Sequence, residues 1–216
     1  AGVRQQVKQK ARHMSAGTLR HYLNQAIEKG SIHDAGRGWY SRIPTKCELD
    51  TQPVEGLIRH LEKEFPLLKF TCWSTQQLNP WMHHILAKFI TFVNVEREAL
   101  SAVGDVLRDT GYRVHVNPEQ SRAGEVQAGN DIVVVRPLVS VAPREGHYSP
   151  PEAVLVDLFR ENSRLNIMSQ VEYQNMLYNL ASSYRIAWGT MLRYAKQREL
   201  NPEEMLPAHS SLMKEN

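Results

Sequence analysis

Polar and basic side chains suited to nucleic acid occupy one face of a predicted helix near the start of the chain. Apolar residues recur at helical spacing between residues 15 and 30, with Ser15 as a suitable N-cap and Gly30 at the end. The apolar face consists of Leu19, Leu23, Ala26 and Ile27. The opposite face carries Thr18, His21, Asn24 and Gln25, with Arg20 on its flank. Arginine pairs with guanine and asparagine with adenine, so this face has the chemistry to read base edges, although a solvated polar face would have a similar composition.

A glycine-rich stretch, GSIHDAGRGWYSRI at residues 30–43, follows this helix. Residues 31–33 and 39–43 predict two short strands, and residues 34–38 predict the turn between them. Glycines let a turn approach a phosphate backbone closely, and Arg37 supplies the positive charge. We expect Ile32, Trp39 and Tyr40 to fix the hairpin to the helices. This order of helix and hairpin resembles the recognition helix and wing of winged helix-turn-helix regulators.

Positive charge is concentrated at the N-terminal end of the chain. Residues 1–46 contain nine Lys or Arg and two acidic residues, a net charge of +7, whereas the whole chain has +3 and the remainder therefore −4. Such an asymmetry favours a polyanionic partner for the basic end, with a solvated surface as the alternative. The side chains expected to contact phosphate are Arg4, Lys8, Lys10, Arg12, Arg37, Arg42 and Lys46. Those expected nearest the base edges are Thr18, Arg20, His21 and Asn24, and Ser15, Gln25 and Gly38 complete the predicted interface.

The predicted partner is double-stranded DNA that carries operator repeats. One winged helix covers few base pairs, so a specific operator requires two copies or a dimer, and a monomer or a dimer on DNA are both open.

The sequence predicts an α/β (α+β) protein of two domains. A winged helix-turn-helix domain at residues 1–46 begins with a helix at 3–12, and an α/β domain follows at 47–216, ending in helices over 148–200. Strands alternating with helices are typical of a sheet covered by helices. The predicted strands are 67–74, 89–95, 111–116 and 131–139, and the predicted helices are 54–64, 80–88, 96–110, 168–182 and 187–199.

Patterns typical of an enzyme or a metal site do not occur in the sequence. It has no phosphate-binding glycine loop and no G-x-S-x-G elbow, and the adjacent His83 and His84 point to different sides of a helix. We therefore predict a non-enzyme without catalytic residues, metal or cofactor. Cys47 and Cys72 are expected to be reduced thiols in the cytoplasm, and no apolar run is long enough to cross a membrane.

Two alternatives to a DNA-binding regulator stay open. One is a metal-dependent nuclease of a phage-defence or mobile-element system, with Glu55, Glu96 and Glu98 as carboxylates. The set of residues that such a nuclease needs is incomplete, because Arg97 separates Glu96 from Glu98 and no lysine follows them. The other is an adaptor whose winged helix binds protein.

Loose motifs in the body of the chain carry a family resemblance. They are Trp73-Ser74-Thr75-x-x-Leu78-Asn79-x-x-Met82-x-His84, Val93-x-Val95-Glu96-x-Glu98, Glu152-x-x-Leu155-Val156-Asp157-Leu158-Phe159, Tyr184-x-Ile186 and Leu192-Arg193-Tyr194-Ala195-x-x-Arg198. Together with the N-terminal helix and hairpin, over about residues 3–200, the chain resembles the AbiEi-type antitoxin and transcriptional regulator group.

The resemblance implies an antitoxin of a bacterial, phage or plasmid type IV toxin–antitoxin pair linked to abortive infection. Such a protein represses its own operon by binding promoter repeats, and it counteracts a nucleotidyltransferase-like toxin without a tight complex. Residues 15–25 and 36–40 match the DNA-reading part of the group. The residues that match its pattern without an assigned chemistry are Trp73, Asn79, His84, Glu96, Asp157 and Arg193. Trp73 and Tyr194 are expected to pack in the core.

Overall fold

The computed structural model describes residues 15–83, 89–119, 126, 129 and 131–206. The chain divides into two compact units, one formed by residues 1–47 together with 177–216 and the other by residues 48–176. The boundary at Cys47 lies next to the one expected from the sequence, but the sequence does not predict that the C-terminal helices group with the N-terminal segment. The predicted helix at 3–12 lies outside the described residues.

The unit of residues 48–176 is built around a four-stranded mixed sheet. Its strands are β3 (Phe70–Ser74), β4 (Thr91–Val95), β5 (Arg113–Val116) and β6 (Ile132–Pro137). The order is β3-β4-β6-β5, with β3 antiparallel to β4 and the pairs β4–β6 and β6–β5 parallel. The mixed α/β class predicted from the sequence is confirmed.

Helices cover this sheet, because the strands are apolar on both faces. Helix α2 (Gln52–Glu64) and helix α3 (Leu100–Asp109), which follows a 3₁₀ turn at Arg97–Ala99, pack their apolar stripes into one cluster with alternate strand residues. That cluster includes Leu57, Leu61, Phe70, Cys72, Val93, Val103, Leu107 and Val135. Helix α4 (Pro151–Leu165) has ten buried residues, and helix α5 (Gln170–Ser183) follows it.

A buried polar row crosses the sheet between the apolar residues. Thr71, Asn94 and Arg136 are successive register partners on β3, β4 and β6, and Asn94 Nδ2 donates to Thr71 Oγ1 over 3.2 Å. The guanidinium of Arg136 donates to the Glu161 carboxylate of α4 (Nε to Oε2, 3.0 Å) and to the Pro118 carbonyl (2.6 Å). Arg136 and Glu161 are both almost fully buried, so the ion pair between them compensates charge in the interior, and Arg164 Nη1 lies 3.7 Å from the second carboxylate oxygen.

The predicted helix at 80–88 is wrong in part. A 3₁₀ helix spans Thr75–Trp81 instead, and residues 84–88 are not described. Ser74 and Gln77 cap its start reciprocally, and Pro80 lies inside it. Proline donates no backbone hydrogen bond, which disfavours an α-helix through this segment.

The unit of residues 1–47 and 177–216 contains helices and one small hairpin. Its elements are α1 (Ala16–Glu28), the strands β1 (His33–Asp34) and β2 (Tyr40–Ser41), the end of α5, α6 (Trp188–Gln197) and α7 (Pro202–Met205). The hairpin strands are shorter than the sequence predicts. Among the described helices of the whole chain, none is both long and apolar enough to cross a membrane.

Candidate nucleic-acid interface

Helix α1, the predicted reading helix, has well-defined ends. At its start the Ser15 hydroxyl accepts a hydrogen bond from the Thr18 amide over 3.1 Å, which satisfies one of the unpaired N–H groups there. At its end Gly30 has a φ of +67°, and the Ser31 amide donates to the Ala26 carbonyl over 2.9 Å. This is a Schellman motif, which ends the helix and turns the chain toward the hairpin.

The two faces of α1 differ less in solvent exposure than the sequence predicts. Thr18, Arg20, His21 and Asn24 are exposed, whereas Gln25 is half-buried. The predicted docking of the apolar face in a core is wrong, because none of the helix residues is buried. Three of the four apolar residues are half-buried and Ile27 is 37% exposed. A cleft opens beside Leu19 and Leu23, which leaves their side chains partly accessible.

The hairpin presents Arg37 at its tip. β1 and β2 are antiparallel, and the turn is closed by a hydrogen bond from the Ala35 amide to the Trp39 carbonyl over 3.0 Å. Asp34 Oδ1 accepts from the Gly36 amide over 3.0 Å, an Asx-turn that fixes the start of the turn. Arg37 is exposed, and it is flanked by two glycines of positive φ.

The base of the hairpin turn is held against the first turn of α6. The Gly189 amide donates to the Ala35 carbonyl over 3.2 Å. The backbones approach so closely that a Cβ on Gly189 would lie 2.7 Å from the Arg37 nitrogen, and one on Gly36 would lie 2.9 Å from the Gly189 nitrogen. Only glycine fits on both sides of this contact.

A second contact within the same unit fixes the chain beyond β2. The Arg185 amide donates to the Thr45 carbonyl over 2.7 Å, and the Cys47 amide donates to the Arg185 carbonyl over 3.1 Å. Sequence reasoning missed both contacts. The one available signal was Gly189, a glycine in the first turn of a predicted helix, which indicates close approach of another segment.

One cleft of about 560 Å³ joins the helix to the hairpin. Its lining consists of Ala16, Leu19, Arg20, Leu23, Asn24, Arg37, Gly38 and Tyr40. Four predicted interface residues therefore share the cleft, namely Arg20, Asn24, Arg37 and Gly38. The other described members, which do not line it, are Ser15, Thr18, His21, Gln25, Arg42 and Lys46. The predicted Arg4, Lys8, Lys10 and Arg12 lie outside the described residues.

The two arginines of the cleft lack a counter-ion among the described residues. Neither Arg20 nor Arg37 forms an ion pair with a carboxylate in that part of the chain. In the other unit, by contrast, the exposed Arg59, Arg108 and Arg113 are each paired with a carboxylate, and the guanidinium of Arg113 lies 2.7 Å from Asp131 and lowers the pKa of that carboxyl. Two unpaired guanidiniums facing one cleft create a positive potential that favours an anion between them.

The residues considered for catalysis do not converge on one site. Glu55 is paired with Arg59 on α2, whereas Glu96 and Glu98 are exposed after β4. Over the described residues, no three His, Cys, Asp or Glu side chains are grouped so that they could hold a metal ion.

The body residues singled out by their pattern have different surroundings. Trp73 is fully buried and stacks on Phe92 with ring centroids 4.3 Å apart, and Tyr194 is buried too, as predicted for core residues. Asp157 is buried in α4, and Arg193 is exposed on α6. Asn79 lies in the 3₁₀ helix, and His84 lies outside the described residues.

Fold and site together define a mixed α/β protein with a basic helix–hairpin cleft. The chain belongs to a family of unknown function, DUF6577, whose model matches residues 18–209. No curated protein and no solved structure matches the chain.

Proposed function

We propose that this protein is a sequence-specific regulator that binds double-stranded DNA as a winged helix, through α1 and the hairpin. The observation that carries the proposal is the cleft in which Arg20 and Asn24 of α1 face Arg37 and Gly38 of the hairpin tip. A DNA strand bound there turns its base edges toward α1 and its phosphates toward the hairpin, and the glycine beside Arg37 leaves room for the close approach of the backbone.

The division of roles follows from the side-chain chemistry. α1 has 13 residues, so it is about 20 Å long, and its exposed face fits a major groove about 12 Å wide. Asn24 and Arg20 can each make bidentate hydrogen bonds to a base edge. Arg37 contacts phosphate, which adds affinity for any duplex without reading its sequence. Recognition of an operator then requires two copies of the surface on a repeat.

The regulatory part of the proposal is repression of the protein's own operon, with an antitoxin role against a nucleotidyltransferase-like toxin. It is supported by the sequence resemblance described above. Co-expression with the neighbouring gene tests it, and rescue of growth from that gene's toxicity is the expected result.

Gel-shift titration with the DNA upstream of the gene tests the binding, with a shuffled duplex as competitor. We expect preferential retardation of the upstream DNA. Arg37→Ala should weaken binding to both duplexes alike and reduce the slope of log K against log [salt] by about 0.9, the value for one lost phosphate contact. Asn24→Ala should instead reduce the preference between the duplexes, by about 1–3 kcal/mol.

The matched control is Arg144→Ala, which removes an exposed arginine from the other unit. It should leave affinity and salt slope unchanged. Unaltered affinity of Arg37→Ala at low salt would refute the role of the hairpin. The absence of any duplex binding at low salt would refute the proposed function and favour a protein-binding adaptor.

A further inference from the structure

Helix α6 presents a basic face that begins at its contact with the hairpin. Gly189 is the second residue of α6, and the direction of its missing side chain points at the backbone of Gly36 and Arg37. Residues four and seven positions further along a helix lie on the same face, and here these are Arg193 and Lys196. We propose that Arg193 and Lys196 extend the DNA interface, so that α6 holds the phosphate backbone beside the hairpin; this rests on the proposed function.

The amphipathic pattern of α6 places Gly189, Arg193 and Lys196 on the face that points away from the buried side of the helix; we call it the outer face. Its buried residues are Met191, Tyr194 and Ala195, which lie on the opposite side of the helical wheel from Gly189. The hairpin contacts this face in its first turn, at Gly189 and Thr190. Beyond that turn Arg193 and Lys196 are exposed.

The basic face is continuous with the cleft through Arg37, which lines the cleft and whose backbone nitrogen lies against Gly189. Side chains on a helix lean toward its N-terminus, so Arg193 is directed toward the hairpin. At a rise of about 1.5 Å per residue, Arg193 and Lys196 follow Gly189 by about 6 and 10 Å along the axis. A DNA strand carries a phosphate about every 3.4 Å of its axis, so a row of this length spans two or three phosphates.

The charges on this face are not neutralised by the described part of the chain. Neither Arg193 nor Lys196 forms an ion pair with a described carboxylate. The neighbouring Arg198 differs, because it is half-buried and its guanidinium lies 5.8 Å from the ring centroid of Tyr194. Arg198 therefore has a packing role, whereas the outer pair is available to a polyanion.

The test compares the full-length wild type with the double variant Arg193→Ala/Lys196→Ala on the upstream and shuffled duplexes over a range of salt concentrations. We expect weaker binding to both duplexes with an unchanged ratio between them, and a salt slope reduced by about 1.8, which corresponds to two lost phosphate contacts. The charge-keeping variant Arg193→Lys/Lys196→Arg should retain the wild-type slope. The matched control Lys69→Ala/Arg144→Ala removes one exposed lysine and one exposed arginine from the other unit and should have no effect.

The outcomes separate this proposal from the function on which it rests. If wild type binds DNA and Arg37→Ala weakens it, but Arg193→Ala/Lys196→Ala keeps the wild-type salt slope, then α6 lies outside the interface and the inference is overturned. If wild type binds no duplex, the proposed function itself fails. A thermal melt of each variant shows whether weaker binding reflects unfolding. If the alanine variant is unfolded, the salt slope of the charge-keeping variant is compared with that of Arg193→Gln/Lys196→Gln. Equal salt slopes for these two variants would overturn the inference.

Discussion

Gly189→Ala should displace the hairpin although residue 189 contacts no DNA in the proposed complex. The new Cβ would lie 2.7 Å from the Arg37 nitrogen and 2.9 Å from the Gly36 carbonyl carbon, both of which are backbone atoms. An ordinary contact is at least 3.4 Å, so the hairpin and α6 must separate by about 0.7 Å. The hydrogen bond from the Gly189 amide to the Ala35 carbonyl is already 3.2 Å long, and this movement would break it.

Opposing energies decide the sign of the effect. Alanine is favoured over glycine inside a helix by about 1 kcal/mol. The lost hydrogen bond costs about 1 kcal/mol, and overpacking a tight contact costs about 1–3 kcal/mol. We therefore expect Gly189→Ala to destabilise the contact by about 1–3 kcal/mol net. Amide hydrogen exchange of Ala35 should then be at least about fivefold faster, since 1.4 kcal/mol corresponds to a factor of ten.

Gly56→Ala is the matched control for this experiment. Gly56 lies on the exposed side of α2, and a Cβ there would meet no atom within 4 Å. The same substitution should stabilise that helix by up to about 1 kcal/mol and leave hairpin exchange unchanged. DNA affinity should fall for Gly189→Ala alone. Hairpin exchange at the wild-type rate in Gly189→Ala, with stability raised as in Gly56→Ala, would refute the reasoning.

Two further predictions concern the unit of residues 48–176. Glu161→Ala removes the carboxylate that pairs with the buried Arg136 guanidinium, so the free energy of unfolding in urea should fall by about 3–5 kcal/mol; a loss below about 1 kcal/mol would show that the pair is dispensable. Burial raises the pKa of the Cys72 thiol, so the folded state keeps this proton while the unfolded state releases it above about pH 8.5. The free energy of unfolding should therefore fall as pH rises, and the Cys72 thiol accounts for about 1.4 kcal/mol of this decrease at pH 9.5. Urea titrations at pH 7 and 9.5 should show a smaller decrease for Cys72→Ala than for the wild type. An identical pH dependence in both proteins would contradict this prediction.

Elements with a strong local signal could be predicted from the sequence. The apolar runs at 89–95 and 131–139 became β4 and β6, because strands buried on both faces have no polar alternation. The ends of α1 could be predicted too, because Ser15 and Gly30 fix them through contacts with residues only a few positions away in the sequence. The reciprocal cap between Ser74 and Gln77 was readable in the same way, and it would have corrected the start of the segment predicted as a helix.

Features that depend on distant residues could not be predicted. β6 inserts between β4 and β5, so the strand order is set by pairings across the sheet that no local pattern encodes. The polar row from Thr71 to Arg136 likewise becomes a row only when the register is known. In the candidate interface, local sequence indicates the helix and the hairpin, but the glycine contact that holds the hairpin joins residues far apart in the chain.

That distant contact bears on how the segment proposed to bind DNA can be isolated. A fragment of residues 1–46 corresponds to the domain expected from the sequence, but it lacks Gly189, which contacts the hairpin turn, and Arg185, which pairs with Thr45. Helix α1 has no buried residue, and a two-stranded hairpin is marginally stable in water by itself. We therefore expect this fragment to have little fixed structure by circular dichroism and to bind duplex DNA much more weakly than the full chain at equal salt. A cooperative thermal transition together with full affinity in the fragment would show that the C-terminal helices are not needed to position the hairpin.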